Sequence, residues 1–135
     1  MALFVLDASA MIAYLRDEPG ADRVSEALLD PDGQCIAHVL NLCEVFYDFH
    51  RASGPKDALA EVKDLARVGV VENAEIGTEF WQAVGALKAI HRRVSLADCF
   101  AVALGNKLGA TILTADHHEF DALADQGVCA VGFIR

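Results

Sequence analysis

Short apolar segments alternate along this sequence with longer segments whose apolar residues recur at helical spacing. That alternation is typical of α/β domains, in which parallel strands are joined by helices that cover both faces of the sheet. It predicts a twisted parallel sheet of about five strands. The predicted strands are ALFVL (2–6), QCIA (34–37), VGVVE (68–72), TILT (111–114) and AVGFI (130–134).

Seven helices are predicted between these strands from the spacing of apolar residues. One of them has clear signals at both ends, because Ser95 is a suitable N-cap and Gly109 follows the last helical residue. The predicted helices cover residues 10–15, 21–30, 39–52, 55–66, 78–93, 96–108 and 119–125.

The length of the chain and its even spread of apolar residues predict one domain over residues 1–135. A domain of this size buries roughly two-thirds of its unfolded surface without disulfides. The four cysteines form no C-x-x-C motif, which favours free thiols. No basic leader precedes the first strand, and no apolar run nears the ~20 residues of a membrane helix. We therefore expect a cytoplasmic protein with no membrane contact.

Two predicted strands each run into an aspartate, Asp7 after the first strand and Asp116 just beyond TILT. Ligands of parallel sheets bind beyond the carboxyl ends of the strands. If these two strands are neighbours, the two carboxylates converge and repel one another unless a cation lies between them. Each aspartate is also explained as the N-cap of the helix that follows it, so both interpretations stay open.

Two further acids are candidates for the same site. Asp98 lies three residues after Ser95, in the pattern of a capping box, but a helix first turn near the sheet edge also suits a metal ligand. Glu44 lies away from the apolar stripe of its helix and close to Asn41. A solvated polar face explains that position equally well.

The hydroxyl residues Ser9 and Thr114 each lie two positions from an aspartate. They are expected to donate hydrogen bonds to carboxylates or to metal-bound water, or else to make ordinary local turn contacts. His38 follows a short strand and is expected to be structural. His117 and His118 are expected to be exposed loop residues, with contact to a substrate phosphate as the alternative.

Several other kinds of active site are absent from the sequence. It has no Gly-rich phosphate loop, no G-x-S-x-G motif, and no pair of histidines at i, i+4 beside a glutamate. The net charge of −9 argues against sequence-blind binding of polyanions through an overall field. Bound cations or a local basic patch can still reverse the sign at one place.

Taken together, the four acids and their neighbours resemble the PIN-domain nucleases, and among them the VapC-type toxins of bacterial toxin–antitoxin pairs. The compact length and the closing VGFIR segment also match, so the resemblance covers the whole chain. One departure is His38, where the family pattern has a small hydroxyl residue. The matching motifs are FVLDAS with Asp7 and Ser9, NLCEV with Glu44, SLADC with Asp98, and LTAD with Thr114 and Asp116.

The resemblance implies a single PIN-like domain that acts as a metal-dependent endoribonuclease. In this interpretation Asp7, Asp98 and Asp116 hold Mg²⁺ or Mn²⁺, ions that prefer hard oxygen ligands. Glu44 would bind a second ion or orient the attacking water. The resemblance also implies an RNA substrate, a neutralising antitoxin and a homodimer. Two alternatives stay open: a PIN nuclease of RNA processing outside a toxin–antitoxin pair, and a non-catalytic PIN-like binding module.

A basic cluster formed by Lys88, Arg92 and Arg93 precedes Asp98 in the sequence. Contact with RNA phosphates beside the site is one interpretation. The other is interaction with the carbonyl groups at a helix C-terminus, which carry partial negative charge.

Overall fold

The computed structural model describes residues 1–135 and contains the predicted five-stranded parallel sheet. Across the sheet the strands run in the order β3-β2-β1-β4-β5, and every neighbouring pair is parallel. The predicted α/β architecture is therefore confirmed. The strands are β1 (Ala2–Leu6), β2 (Gly33–His38), β3 (Val70–Asn73), β4 (Thr111–Thr114) and β5 (Val131–Phe133).

Seven helices cover the two faces of the sheet, with α1 to α4 on one face and α5 to α7 on the other. Successive strand residues point to opposite faces. Leu6 and Leu113 accordingly belong to the core under α1 to α4, and Val5 and Ile112 to the other core. None of the helices combines the length and hydropathy that crossing a bilayer requires. The helices are α1 (Ala8–Leu15), α2 (Ala21–Leu29), α3 (Val39–Ser53), α4 (Pro55–Arg67), α5 (Thr78–Ile90), α6 (Leu96–Leu108) and α7 (His117–Asp125).

Six helix ends differ from the prediction by one to three residues, and two of these differences concern candidate site residues. Helix α5 ends at Ile90 instead of residue 93, because His91 leaves the helical conformation with φ −105° and ψ 67°. Helix α7 begins at His117 instead of residue 119, because the Asp116 side chain caps it. His117 and His118 are therefore in the first helical turn, and the expectation that they lie in a loop is wrong.

Strands β1 and β4 are adjacent, and the winding of the chain reverses between them. The chain leaves β1 towards β2 and leaves β4 towards β5, on the opposite side of the sheet. In open parallel sheets, a crevice forms beyond the carboxyl ends of strands at such a reversal. The N–H of Asp7 donates to the carbonyl of Leu113 at 3.2 Å, which places Asp7 beside the end of β4. The strands that precede Asp7 and Asp116 are thus neighbours, which is the condition for the two carboxylates to converge.

Candidate active site

Asp7 is almost completely buried, with 1% of its surface exposed, at the junction of β1 and α1. Its Oδ1 accepts the N–H of Ala10 at 2.9 Å, so it is the N-cap of α1. The cap occupies only part of the acceptor capacity of a carboxylate, which has about four lone-pair sites. Burial is the main cause that raises the pKa of Asp7 to about 6, although its hydrogen bonds lower it.

Two hydroxyl groups hold the Asp7 carboxylate in position. Ser9 Oγ donates to Asp7 Oδ1 at 2.7 Å, and Thr114 Oγ1 donates to Asp7 Oδ2 at 2.5 Å. Ser9 Oγ also accepts the N–H of Ala115, and Thr114 Oγ1 accepts that of Asp116. Both hydroxyls thus contact a carboxylate and also take part in local turn bonding, so neither interpretation excludes the other.

Asp98 lies in the first turn of α6, but its carboxylate does not complete the expected capping box. Ser95 Oγ accepts the N–H of Asp98 at 3.2 Å, which is one half of such a box. The other half is missing, because the N–H of Ser95 donates to Glu119 Oε1 of α7 at 2.9 Å. One carboxylate oxygen of Asp98 instead lies within 4.8 Å of oxygens of Asp116 and Glu119.

Glu119 is the acid that the sequence analysis missed. Its N–H donates to Asp116 Oδ1 at 3.0 Å, so Asp116 is the N-cap of α7. The spacing Asp116-x-x-Glu119 is that of a local capping pattern, and it gives no sign of a contact outside the helix. The contact with Ser95 spans 24 residues and depends on how α6 and α7 pack.

Glu44 on α3 is half-buried, and its Oε1 is buried with no hydrogen-bond partner. One turn earlier, Asn41 is fully buried, and its Nδ2 donates to the carbonyl of Ala97 at 3.3 Å. Ala97 directly precedes Asp98, so Asn41 links α3 to the beginning of α6. The solvated polar face considered for this helix does not include Asn41.

The structure brings the four predicted acids and Glu119 into one electrostatic cluster. Burial raises the pKa of Asp98, with further increases from Glu119 and Asp7. Burial also raises the pKa of Glu44, followed by the charge of Asp7. None of the five acids forms an ion pair with a basic side chain. No basic side chain of the protein therefore offsets their mutual repulsion.

This donor set fits a hard divalent cation. All the available ligand atoms are carboxylate oxygens, which suit Mg²⁺ or Mn²⁺ better than softer metals. Glu44 Oε1 is a buried acceptor without a partner, and such an atom is costly unless a cation or a proton donor faces it. The residues that could hold the ion are Asp7, Glu44, Asp98, Asp116 and Glu119.

His38 is structural, as expected. Its fully buried ring accepts the N–H of Leu40 on Nδ1 at 3.1 Å, which caps α3, and donates from Nε2 to the carbonyl of Glu75 at 2.7 Å. The ring also stacks on Phe80 with centroids 5.7 Å apart. An imidazole nitrogen is therefore the N-cap acceptor of α3 at this position.

His117 connects α7 to the end of the sheet instead of facing the acids. Its ring stacks on Phe133 with centroids 3.9 Å apart. The Nδ1 atom lies 2.7 Å from Asp121 Oδ1, and the Nε2 atom 2.8 Å from the backbone oxygen of Arg135. Both nitrogens face acceptors, so the backbone oxygen of Arg135, followed by Asp121, raises the pKa of His117.

The three members of the predicted basic cluster have different surroundings. Lys88 Nζ donates to the carbonyls of Arg92 at 2.9 Å and Val94 at 2.7 Å, so it holds the connection after α5. Arg93 donates to His118 Nδ1 at 3.2 Å, and the Arg92 side chain has no polar partner. Because α5 ends before Arg92 and Arg93, these two residues are not part of its last turn.

Residues 4–126 match the family model described as PIN domain. No curated protein shows significant similarity to the sequence.

Among solved structures, the chain is similar to proteins of VapBC pairs. A DNA-bound VapBC from Salmonella typhimurium superposes with a TM-score of 0.76 at 18% identity, covering 100% of both chains. VapC20 from Mycobacterium tuberculosis, described as a Sarcin-Ricin loop cleaving toxin, gives 0.71 at 15% identity over 88% of this chain and 94% of that one. VapBC-5 from the same organism gives 0.60 at 26% identity over 100% and 99%.

Proposed function

Because the chain belongs to the PIN-domain family, we propose that it is a metal-dependent endoribonuclease that hydrolyses RNA phosphodiester bonds. The match confirms the family predicted from the sequence. The observation that carries the proposal is the cluster of five carboxylates at the β1–β4 reversal, none of them paired with a basic side chain. A non-catalytic binding module has no need to keep so many acids together, since their charges contribute to the raised pKa of Asp7, Glu44 and Asp98.

Mg²⁺ or Mn²⁺ held by Asp7, Asp98 and Asp116 would stabilise the charge that develops on the phosphoryl and leaving oxygens. Ser9 and Thr114 donate to Asp7 and so keep its carboxylate oriented towards the cluster. Glu44 would bind a second ion or orient the attacking water, because it lies within the electrostatic influence of Asp7 and Glu119 in the same cluster. Each of the four predicted acids thus has a proposed role, either in metal binding or in orienting the attacking water.

We further propose that the nuclease is the toxin of a toxin–antitoxin pair. Support comes from the neighbours: the Salmonella structure and one Mycobacterium structure are described as VapBC proteins, and VapC20 is described as a Sarcin-Ricin loop cleaving toxin. A neutralising antitoxin and a homodimer follow from the same resemblance. Sedimentation of the purified protein, alone and with its antitoxin, measures both assemblies.

The enzymatic part is tested with purified, antitoxin-free protein and total cellular RNA, with Mg²⁺ or Mn²⁺ and with excess chelator. We expect cleavage only with metal, and none from Asp116→Asn under either condition. Equal cleavage by the wild type in excess chelator contradicts the metal mechanism.

The biological part is tested by expression in bacterial cells, alone and together with the small protein encoded by a neighbouring gene. We expect growth arrest alone and normal growth with the partner. A protein that cleaves RNA in vitro but is harmless in cells supports the RNA-processing alternative. A folded protein that binds metal and cleaves no RNA supports the non-catalytic module.

A further inference from the structure

A cavity of about 290 Å³ lies beside the acid cluster, between the α5–α6 connection and one side of α7. The connection contributes His91 to Val94, and α7 contributes His118, Glu119 and Leu123. Glu119 belongs to both the cavity and the acid cluster, so the two sites share a wall. The volume is close to the lower limit of small-molecule sites, about 300 Å³, which suits one nucleotide and not a helix or a folded partner.

Two arginines on this cavity have no acidic partner, although acidic residues outnumber Lys and Arg by 20 to 11. Arg92 and Arg93 form no ion pair, whereas Arg16, Arg51 and Arg67 each pair with an aspartate. The planar fork of an arginine binds phosphate oxygens through two parallel hydrogen bonds. The pair therefore supplies a local positive field in a chain whose overall charge repels RNA.

The backbone that carries the arginines is already ordered. Lys88 Nζ donates to the carbonyls of Arg92 and Val94, and the N–H of Val94 donates to the carbonyl of His91 at 3.0 Å. Because this connection is ordered before a ligand binds, less conformational entropy is lost on binding. Lys88 thus acts on this cavity by holding its wall, and its own charge faces carbonyl groups.

The remaining surface of the cavity suits a nucleobase. Val94 and Leu123 are apolar lining residues, and His91, which also lines the cavity, has an aromatic ring of the kind on which bases stack. Gln126 is a further lining residue, and its amide has both donors and an acceptor, the combination that reads base edges. Because a guanidinium only donates, His118 Nδ1 accepts from Arg93, which leaves Nε2–H as a further donor.

We propose that this cavity binds one unpaired RNA nucleotide next to the bond that is cleaved, with its phosphate on Arg92 and Arg93 and its base inside. The inference deepens the proposed ribonuclease function and rests on it for the position of the cut. It separates two contributions: the arginines determine affinity for any sequence, and the cavity determines which base is preferred.

The phosphate contact is tested by fluorescence anisotropy with a labelled, unstructured RNA of 12 nucleotides, in chelator and over a series of salt concentrations. The Arg92→Gln/Arg93→Gln variant should bind about tenfold more weakly or worse. Its salt slope should fall by about 0.7, since single strands give roughly 0.7 for each phosphate neutralised and the two arginines share one phosphate. The matched control is Arg51→Gln/Arg67→Gln, which removes the same charge from exposed residues of α3 and α4 on the other face. Equal binding and equal slopes in the two double variants overturn the proposal.

The base contact is tested by sequencing the cut sites that the enzyme makes in total RNA with Mg²⁺. Ala122 lines the cavity and is exposed, so Ala122→Phe fills the space without disturbing the core. We expect it to weaken or change the base preference at one position beside the cut. Ala60→Phe, on the exposed surface of α4, should keep the wild-type pattern. A wild-type pattern in Ala122→Phe contradicts a base in this cavity.

The two proposals fail in different ways. If the wild type binds the RNA through Arg92 and Arg93 but never cleaves it with metal, the ribonuclease proposal is wrong and the RNA contact stands. If the wild type cleaves RNA and the double variant binds and cuts identically, the ribonuclease proposal stands and the subsite is wrong.

Discussion

The N–H of Ser95 at the start of α6 donates to Glu119 Oε1 of α7, over 2.9 Å. In a complete capping box that N–H is bound by the side chain three residues later, which here is Asp98. The contact from α7 therefore leaves the Asp98 carboxylate available to the acid cluster. At the start of α6, Ser95 and Glu119 make the capping contacts and the Asp98 carboxylate does not, so mutations can separate the capping of this helix from the proposed role of Asp98 in metal binding.

Replacing Asp98 by Asn removes one titratable group with little change of shape. Burial, followed by the neighbouring acids, raises the pKa of Asp98 to about 10, so without metal the folded protein keeps a proton on this carboxyl at neutral pH. Asn needs no such proton, so the metal-free variant should melt at the wild-type temperature or higher. Mg²⁺ or Mn²⁺ should raise its melting temperature less, because a ligand stabilises the folded state according to its affinity. Cleavage should fall by about 100-fold or more, since removing even the outer contacts of metal ligands costs roughly 10–100-fold.

Ser95→Ala is the control for Asp98→Asn. It removes the hydroxyl that caps α6 and should cost about 0.5–2 kcal/mol of stability, while the metal response is kept. If Asp98→Asn lowers the metal-free melting temperature and keeps both metal response and cleavage, Asp98 is only a capping residue.

Glu119→Gln tests whether the acid missed in the sequence contributes to the metal site. The amide oxygen can still accept the N–H of Ser95, so α6 should stay capped and metal-free stability should not fall. The stabilisation by Mg²⁺ should decrease, because one charged ligand is lost. Glu119→Ala should in addition lose about 1 kcal/mol without metal. An unchanged Mg²⁺ response in Glu119→Gln, measured by thermal melts, limits Glu119 to capping.

Thr114→Val removes the hydroxyl that donates to Asp7 and leaves a side chain of nearly the same shape. Thr114 is fully buried, so the variant should lose about 1–3 kcal/mol of unfolding free energy in urea at pH 7. Thr114→Ser keeps the hydroxyl and should lose less. Equal stability of the two variants would falsify the role of this hydroxyl in holding the carboxylate.

The metal-free protein should become less stable between pH 3.8 and about 6. The pKa of Asp7 is raised from 3.8 to about 6 in the folded state, mainly by burial. Within this window the folded state keeps a proton that the unfolded state has released, so the unfolding free energy decreases as pH rises. Asp98 and Glu44, whose pKa values are also raised by burial, act in the same direction.

Urea unfolding in chelator at several pH values measures this effect as the difference between wild type and Asp7→Asn. Asn is also a good N-cap, so the variant keeps α1 capped and loses only the titrating group. The unfolding free energy of the wild type minus that of Asp7→Asn should decrease from pH 4 to pH 6. Mg²⁺ should reverse this trend because it binds the deprotonated carboxylates. If this difference in unfolding free energy increases with pH in the absence of metal, the pKa of Asp7 is not raised in the folded state.

The sequence by itself determined the order of the elements and the acids at their ends. Apolar β-branched runs specify buried strands, and helical spacing specifies the helices between them, because both patterns act within a few residues. A parallel sheet then follows from the alternation, and Asp7 and Asp116 lie at the carboxyl ends of strands by position alone. Asp98 and Glu44 were candidates from their positions on their helices, and the match of their neighbours to a family pattern assigned them to the same site.

Only the tertiary structure decided which polar groups meet. The pairing of β1 with β4 brings Thr114 onto Asp7 across 107 residues, and the packing of α7 against α6 brings Glu119 onto Ser95. Packing likewise buries Asn41, and the connection held by Lys88 ends α5 at Ile90. Local patterns cannot specify such contacts, because a side chain that caps its own helix and one that reaches another helix have the same spacing in the sequence.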